Sequence, residues 1–497
     1  MTFTSLPFIL FLLTVFAVFT VIPARYRWIV LLVGSYFFYA CFNAWYLLLV
    51  LAAVTAISNV CGALIYKNNC QKTKMYWMWT GVAANVLILV LIKYIPFIIN
   101  NINSVLGLLS EKYELPSPHL LVSIGVSYFI LQGISYLIDI YLEILEPEQH
   151  PGYFALSMCF FPKLLQGPIE RSGNLLPQMQ TYTIPSFETI RGGITLFLWG
   201  MFKKVVIADR ISTYVDPVYN DVHAYSGLSL ILATYLFAIQ IYFDFSGYTD
   251  MALGTARLFN IRLTQNFNSP YLATSTADFW RRWHISFSSW ILDYIFKPIQ
   301  LSLRNWSPWG VPSALMVTFL ISGIWHGASW CFIVWGGLHG IYLSVGTLFK
   351  KLRSKFIKTI GLENTRLLKY CQIAITFHLV CFAWIFFRAA TITDALYVVQ
   401  YSLLGIPQSL AAIGSDKSKF AKQLLMGKPE YDFMIIFGVV IFASVIGLWE
   451  RRNKYPFGEL MFLTRLPSSI NGFFLGVVVY MIVFWGARSQ SFIYLQF

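Results

Sequence analysis

The chain has 497 residues, of which 57% are hydrophobic and only 12% are charged, whereas a soluble globular protein has about 25% charged residues. A soluble chain of this composition would expose its surplus apolar surface and aggregate, so the composition excludes a soluble enzyme and indicates a protein that crosses the membrane several times. The formal net charge of +14 then indicates basic cytoplasmic loops, and we expect no nucleic-acid partner because the sequence contains no nucleic-acid-binding motif.

Apolar runs of the length needed to cross a bilayer, about 20 residues, recur along the whole chain. They predict an all-α fold, a polytopic membrane protein with eleven or twelve transmembrane helices, and we treat residues 1–497 as a single integral-membrane domain. The seven cysteines form no Cys-x-x-Cys pair, so we predict neither a metal site nor a disulfide framework. The predicted helices lie near residues 7–24, 28–42, 45–66, 76–100, 119–143, 190–210, 226–247, 313–332, 332–349, 371–389, 433–449 and 470–487.

Residues 159–168 carry two prolines and a lysine within an apolar stretch. Proline removes a backbone hydrogen-bond donor and breaks a helix. Irregular backbone at membrane depth is tolerated only where protein or a water-filled cavity covers it. We therefore predict a re-entrant or broken helix in this stretch.

Lysine and arginine collect in alternate loops, which orients the chain because cytoplasmic loops are enriched in basic residues. The densest basic run is residues 350–358, and smaller runs occupy residues 67–74 and 451–454. The pattern predicts an extracytoplasmic N-terminus and an extracytoplasmic C-terminal tail, residues 488–497. The lysines at 417–428 do not fit this orientation, because their loop would also lie outside.

Two aspartates, Asp244 and Asp250, lie at the end of the seventh predicted helix. Ionisable side chains within membrane spans are energetically expensive and are therefore paired or functional. We favour a structural role for both, in ion pairs with arginines such as Arg257, Arg281 or Arg282.

Residues 278–286 place two arginines, two tryptophans and a histidine side by side. Arg281 and Arg282 can bind an anionic lipid headgroup or a phosphate-bearing cofactor at the membrane surface. An interfacial aromatic and basic anchor is the alternative, and the local sequence does not decide between the two.

His326 lies in an apolar segment whose small residues leave room for a ligand or a helix break: Gly323, Gly327 and Ala328. With Trp325 and Trp330 as walls, a neutral imidazole there can take a proton from a hydroxyl nucleophile. A structural histidine at a small-residue helix contact fits the local sequence equally well. His339 has a similar setting, but about 220° separates it from His326 on an ideal helix, so the two share a face only if the helix breaks.

The motifs at 242–252, 279–286 and 323–330, in this order and spacing, resemble those of the membrane-bound O-acyltransferase family. They are most similar to its bacterial branch, which contains the membrane subunits of alginate O-acetylation, peptidoglycan O-acetylation and teichoic-acid D-alanylation. The resemblance weakens after about residue 400. Three shorter stretches extend it over most of the chain, at residues 35–40, 124–129 and 161–168.

The resemblance implies transmembrane and re-entrant helices around a central tunnel, an acyl donor arriving from the cytoplasm, and two functional histidines. By motif, His326 is the catalytic histidine and His284 the second, while His339 stays undecided. The expected donor is acetyl-CoA as a cosubstrate, since the chain has no carrier-protein domain and a basic cytoplasmic face suits the phosphates of coenzyme A. A carrier-protein donor is the alternative. The candidate donor-binding residues are Arg281, Arg282 and Trp325.

Residues 492–497 form a Phe-x-Tyr-x-x-Phe motif that resembles a terminal motif of these systems, whose tyrosine is proposed to carry the acyl group. We predict that the tail folds back into the outer mouth of the tunnel, where Tyr494 accepts the acetyl group through His326. A free phenol has a pKa near 10 and needs a base to attack a thioester, and the aryl ester formed is a good onward donor. An ordinary frayed terminus with interfacial aromatics is the alternative.

The leading interpretation is a membrane-bound O-acetyltransferase that moves acetyl groups across the bacterial cytoplasmic membrane for an extracytoplasmic polysaccharide such as peptidoglycan or alginate. Final transfer would use a periplasmic or membrane-anchored esterase-like acetyltransferase partner, since the chain has no Gly-x-Ser-x-Gly nucleophile motif. A transporter or flippase for a lipid-linked glycan is an alternative, although we find no internal repeat of the kind that marks many transporters. An acyltransferase acting on lipid or protein is another.

Overall fold

In the computed structural model, the chain forms two compact units. One comprises Met1–Phe197 and Tyr248–Thr264, and the other comprises Leu198–Gly247 and Gln265–Phe497. Within the described residues every regular element is a helix and none is a strand, which confirms the all-α prediction. The residues that the structure describes are 1–42, 44–109, 115–116, 123–181, 183–452, 468–487, 490 and 492–493.

The first unit begins with a helix whose start the sequence specifies. Ser5 accepts a hydrogen bond from the backbone N–H of Phe8 at 3.4 Å, and Pro7 lies in the first turn, where its missing N–H leaves no hydrogen bond unmade. A π-helical turn, Val90–Tyr94, joins the fourth helix to the fifth. The helices are α1 (Leu6–Val21), α2 (Arg27–Ala40), α3 (Tyr46–Lys67), α4 (Gln71–Leu89), α5 (Ile95–Leu109), α6 (Val126–Tyr141), α7 (Pro151–Cys159), α8 (Ser172–Gln180) and α9 (Phe187–Phe202), the last of which ends in the second unit.

Residues 160–170, which follow α7, form an irregular segment whose side chains are all buried. Lys163 donates a hydrogen bond to the side-chain oxygen of Gln132, so the buried ammonium has a partner. Gly125 has a φ of 73° and approaches the segment so closely that a Cβ would lie 2.5 Å from the carbonyl oxygen of Leu164. Protein therefore covers this backbone, as we predicted for the broken stretch at 159–168.

The second unit contains most of the remaining helices. A π-helical turn, Lys203–Ala208, joins α9 to α10, and the last residues of α11, from Tyr248, belong to the first unit. The helices are α10 (Asp209–Asn220), α11 (Leu228–Arg257), α12 (Thr276–Trp280), α13 (Ile285–Ile291), α14 (Lys297–Ser302), α15 (Gly310–His326), α16 (Trp330–Leu348), α17 (Lys350–Thr359), α18 (Arg366–Arg388), α19 (Ile392–Leu404), α20 (Ile406–Ser415), α21 (Lys417–Leu424), α22 (Glu430–Arg452) and α23 (Ser468–Trp485).

Six helical stretches within the described residues are long and apolar enough to cross a membrane: α3, α4 with α5, α11, α16, α18 and α22. Helices α19 and α20 meet at 52° and pass the same test only together, as either a broken seventh span or a re-entrant loop, which the sequence did not predict. Four shorter helices are also apolar, namely α1, α6, α15 and α23. The prediction of a multi-pass membrane protein is therefore confirmed, while the central tunnel stays a prediction.

The core of the second unit is rich in aromatic side chains. Trp283, Trp335 and Trp384 are each less than 2% exposed. The ring centroid of Trp384 lies 5.1 Å from that of Trp283 and 5.9 Å from that of Trp335. Large aromatic rings buried against one another hold fixed positions because protein interiors are closely packed. This aromatic layer borders the histidines described next.

Candidate active site

His326 occupies the last position of α15, where the chain leaves the helix. Gly327 adopts an extended conformation, and α16 begins three residues later, after Ser329 accepts a hydrogen bond from the backbone N–H of Cys331 at 3.3 Å. The predicted helix break is therefore present. It leaves the imidazole of His326 buried at 4% exposure between two consecutive helices.

The small residues before and after His326 bring α15 against α16. A Cβ at Gly323 would lie 2.3 Å from the carbonyl oxygen of Phe332, and one at Gly327 would lie 2.1 Å from the Phe332 ring. The next helix thus fills the space beside these two glycines, and of the two expectations for them, a ligand or a helix break, the structure shows the break. Trp330 is 55% exposed, and its role as a pocket wall stays a prediction.

Among the described residues, four aromatic rings surround His326. Its ring centroid lies 4.8 Å from that of Trp325, 4.8 Å from that of Trp335, 5.5 Å from that of Phe387 and 5.6 Å from that of Phe287. Such walls exclude water, and in a dry site an imidazole exchanges its proton with a bound reactant more readily than with solvent.

His284 is fully buried and precedes α13 with φ 44° and ψ 55°. This left-handed conformation is unfavourable for a residue other than glycine and persists only where the surroundings impose it. Asn266 imposes it from the neighbouring loop. Its backbone carbonyl accepts from the N–H of Ile285 at 3.0 Å, and its side-chain oxygen accepts from the N–H and hydroxyl of Ser286 at 3.2 and 2.6 Å.

The two predicted histidines share a stacked pair of aromatic neighbours. Phe287 and Trp325 stack with centroids 4.2 Å apart, and His326 contacts both rings. His284 lies 5.2 Å from Phe287 and 6.1 Å from Trp325. The structure therefore brings together two residues that are 42 positions apart (326 minus 284). Because burial lowers the pKa of His284, its imidazole is neutral at physiological pH and suits a hydrogen-bonding role.

His339 is a third buried histidine of the same cluster. Trp280 donates its indole N–H to the Nδ1 of His339 at 3.2 Å, which leaves the proton of a neutral imidazole on Nε2. The ring of Trp335 lies 5.0 Å from His339 and also contacts His326. The helix break between positions 326 and 339 thus places both histidines against one tryptophan.

The two predicted arginines follow Trp280, whose ring lies 5.1 Å from that of His339. Arg281 lines an apolar cavity of about 410 Å³ together with Trp280 and Phe296. Arg282 donates to the carboxylate of Asp278 at 2.8 Å. Burial would raise the pKa of Asp278, but hydrogen bonds from Arg282 and from the backbone of Thr274 outweigh it and lower that pKa. The ion pair fixes one edge of the Arg282 guanidinium and leaves its other N–H groups to bind elsewhere.

The site can now be compared with known proteins. Residues 149–390, which include the clustered histidines His284, His326 and His339, match the membrane-bound O-acyltransferase family. The chain is also 35% identical over 426 residues to the peptidoglycan O-acetyltransferase of Helicobacter pylori, over 80% of this chain and 77% of that protein. The chain belongs to the membrane-bound O-acyltransferase family. It is therefore a multi-pass membrane acyltransferase, and the proposed family resemblance is confirmed.

Other relatives fall in the branches that the motifs indicated. The O-acyltransferase is 33% identical over 408 residues to the probable alginate O-acetylase AlgI of Azotobacter vinelandii, over 81% of this chain and 78% of that protein. It is 28% identical over 353 residues to the teichoic acid D-alanyltransferase of Bacillus subtilis, over 68% of this chain and 84% of that protein. Membership of an enzyme family leaves the transporter interpretation without support.

Sequence reasoning missed several residues in and near the candidate site. Asn266 belongs to no pattern, because its contacts depend on a loop that meets residues 285–286 only in three dimensions. Asp244 forms a buried ion pair, as we expected, but the partner in the described residues is Lys204 at 2.6 Å, where we expected an arginine. Lys204 lies within an apolar run, and a lysine in such a position could have been recognised as a candidate partner for a buried carboxylate. Tyr494 lies outside the described residues, so its role stays a prediction.

Proposed function

We propose that this protein moves acetyl groups from cytoplasmic acetyl-CoA across the bacterial cytoplasmic membrane for O-acetylation of an extracytoplasmic polysaccharide. The observation that carries the proposal is the convergence of His284 and His326 on the stacked rings of Phe287 and Trp325. The names of the relatives, a peptidoglycan O-acetyltransferase and probable alginate O-acetylases, support a polysaccharide acceptor.

In the proposed reaction His326 accepts the phenol proton of Tyr494, and the phenolate attacks the thioester carbonyl carbon of the donor. A carbon–oxygen bond forms, the carbon–sulfur bond breaks, and the proton passes from His326 to the departing sulfur of coenzyme A. The neutral imidazole of His284 donates a hydrogen bond to the carbonyl oxygen while negative charge develops there. The product is an aryl ester, which is more reactive toward a hydroxyl group than an alkyl ester.

The donor would be held by Arg281, Arg282 and Trp325. Arg281 stands at the rim of the apolar cavity, where a guanidinium can bind phosphate while the walls accept an alkyl chain. Arg282, held by Asp278, presents its remaining N–H groups in a fixed direction. Trp325 stacks beside the histidines, so a thioester bound against it would be within reach of His326. A carrier protein as donor would instead leave the reaction independent of added acetyl-CoA.

The acceptor side would involve a periplasmic or membrane-anchored esterase-like partner that takes the acetyl group from Tyr494 and transfers it to a polysaccharide hydroxyl. Peptidoglycan and alginate are the two acceptors that the names of the relatives support. Both termini would lie on the extracytoplasmic side, so Tyr494 would meet that partner without crossing the bilayer.

The test uses the purified full chain in lipid nanodiscs with isotope-labelled acetyl-CoA. Mass spectrometry of the peptide that contains Tyr494 should show a labelled acetyl group. The ester should be absent in His326→Ala and in Tyr494→Phe, and it should persist in His378→Ala, which changes an exposed histidine of α18. Ester formation in folded His326→Ala would contradict the role of the base, and polymer acetylation by Tyr494→Phe would contradict the carrier.

A further inference from the structure

A buried network of three charged side chains lies in the second unit, apart from the histidines. The ammonium of Lys204 contacts a carboxylate oxygen of Asp209 at 2.7 Å and one of Asp244 at 2.6 Å, and each of the three side chains is 2% exposed. Lys204 belongs to the π-helical turn Lys203–Ala208, a type of distortion that is frequent at functional sites. Charges buried this deeply need complete pairing.

The three side chains do not complete that pairing among themselves, because two carboxylates face one ammonium. The C-terminal segment, residues 486–493, supplies further partners through those of its residues that the structure describes. The backbone N–H of Ile493 donates to the second oxygen of Asp244 at 2.8 Å, and the backbone of Gln490 interacts with Asp209. On the cation, the Lys204 ammonium lies 4.5 Å from the ring centroid of Phe492, a favourable cation–π distance.

The segment is attached along its course before it reaches the network. The N–H of Ala487 donates to the carbonyl of Val205, within the π-helical turn, at 3.1 Å. Arg210 donates twice to the carbonyl of Trp485, at 2.9 and 2.7 Å, and is held from its other side by Asp432 at 2.8 Å. The last residue of α23 and the described residues after it are therefore held by successive contacts with other residues of the second unit. Phe492 and Ile493, at the end of this series of contacts, are buried at 1% and 7% exposure.

The docking site and the histidine cluster both involve α11. Asp244 precedes Phe245 in α11, and the ring of Phe245 lies 4.8 Å from that of His284. One residue of α11 thus holds Ile493 while the next contacts a predicted catalytic residue. Tyr494 follows Ile493 directly in the sequence.

We propose that the Lys204, Asp209 and Asp244 network is a docking site for the C-terminal segment, and that these three are positioning residues which hold Tyr494 at the histidines. The positioning of a carrier rests on the proposed function, whereas the docking itself does not. In this arrangement the carboxylates of Asp244 and Asp209 bind backbone N–H groups of the segment, and the Lys204 ammonium binds the aromatic ring at position 492.

The docking is tested by hydrogen–deuterium exchange of the full chain in nanodiscs, read on the peptide that covers residues 486–493. Asp244→Ala removes the acceptor of the Ile493 N–H, so this peptide should exchange about tenfold faster, as expected for loss of one charge-assisted hydrogen bond. Asp244→Asn keeps an acceptor oxygen and should restore most of the protection. The control is Asp216→Ala, which breaks an ion pair with Arg388 and should leave the exchange of this peptide unchanged.

Unchanged exchange in a folded Asp244→Ala protein would overturn the proposal. If that variant does not fold, Phe492→Ala decides in its place, since it removes a docked ring and leaves the three charged residues intact. Faster exchange in Phe492→Ala supports the docking site, and wild-type exchange overturns it.

A separate measurement distinguishes this proposal from the carrier role of Tyr494. Tyr494→Phe should retain wild-type exchange, because docking uses the preceding residues, and should lose acetyl transfer. Asp244→Ala should lower the kcat of acetyl transfer about tenfold with the KM for acetyl-CoA unchanged, because the network contacts the acceptor segment. A Tyr494→Phe protein with full transfer would refute the carrier alone, whereas wild-type kcat in a folded Asp244→Ala would refute the positioning.

Discussion

At the scale of single residues, the arrangement around His284 shows how one loop sets the geometry of a buried imidazole. The left-handed backbone at His284 costs of order 1–3 kcal/mol, and three hydrogen bonds to Asn266 offset that cost. Hydrogen bonds between two loops thus stabilise the backbone conformation that orients the His284 side chain. We infer that this orientation of His284 matters for the reaction.

Asn266→Ala removes the side-chain acceptor of both Ser286 bonds and should lower the free energy of unfolding by about 1–3 kcal/mol. Because His284 would then relax from its left-handed conformation, acetyl transfer should fall by more than the loss of folded protein explains. Thermal unfolding and single-turnover transfer, measured on the same preparation, separate the two effects. Asn68→Ala is the control, since that amide caps the end of its own helix. Full transfer by a destabilised Asn266→Ala protein would show that the loop serves stability alone.

The sequence made the histidines visible but not their surroundings. His326 and His284 were found through a motif resemblance, and their local sequence left a structural role open. Neither motif contains Asn266 or Phe287, and neither shows that Phe287 stacks on Trp325. Contacts between segments that are distant in the sequence produce no pattern in a single sequence.

At the scale of elements, the contact between α15 and α16 determines where His326 lies. Gly323 and Gly336 face each other across it: a Cβ on Gly323 would meet the carbonyl oxygen of Phe332 at 2.3 Å, and one on Gly336 would meet that of Phe319 at 2.2 Å. Backbone atoms cannot move aside as a flexible side chain can. The small residues therefore set the distance between the helices, as in other membrane helix pairs.

Gly323→Ala should push the two helices apart, destabilise the protein by about 1–3 kcal/mol and reduce acetyl transfer, because His326 lies one turn further along α15. Gly337→Ala is a matched control on α16, since the nearest atom to its new Cβ would be 3.8 Å away. That variant should be neutral or slightly stabilising, because alanine favours a helix over glycine. Equal activity and equal melting temperature in the two variants would contradict this account of the contact.

Sequence periodicity located most helices, and its failures have a common physical cause. Helices α19 and α20 were missed because neither is long enough to cross a membrane alone, and together they pass only as a bent pair. The partner of Asp244 was misassigned because Lys204 lies 40 positions away (244 minus 204) in an element that packs beside α11. Apolar length reveals a span but does not show which spans meet.

At the scale of the whole molecule, the orientation in the membrane follows from the distribution of basic residues and is open to a direct test. Cys70, exposed at the start of α4, should face the cytoplasm because lysines 67, 72 and 74 surround it. Hydrogen bonds from the backbone of Thr73 and Lys72 lower the pKa of its thiol, which favours reaction with maleimide.

In intact cells a membrane-impermeant maleimide should leave Cys70 unmodified, and permeabilisation should expose it, as read from the mass of its peptide. Asp221→Cys places a thiol in an exposed loop predicted to lie outside and should react without permeabilisation. The opposite pattern at both positions would invert the topology and would place the C-terminal segment on the donor side.

The attachment of residues 486–493 also limits how far an acyl group can travel on this protein. Consecutive Cα atoms are about 3.8 Å apart, so on the proposed function a carrier tyrosine directly after a docked Ile493 would reach only a short distance. The acyl group would then cross the bilayer by successive transfers between groups that keep fixed positions. On the proposed function, the thioester would have to enter from the cytoplasmic face as far as Tyr494, and the partner would have to reach Tyr494 from the other face.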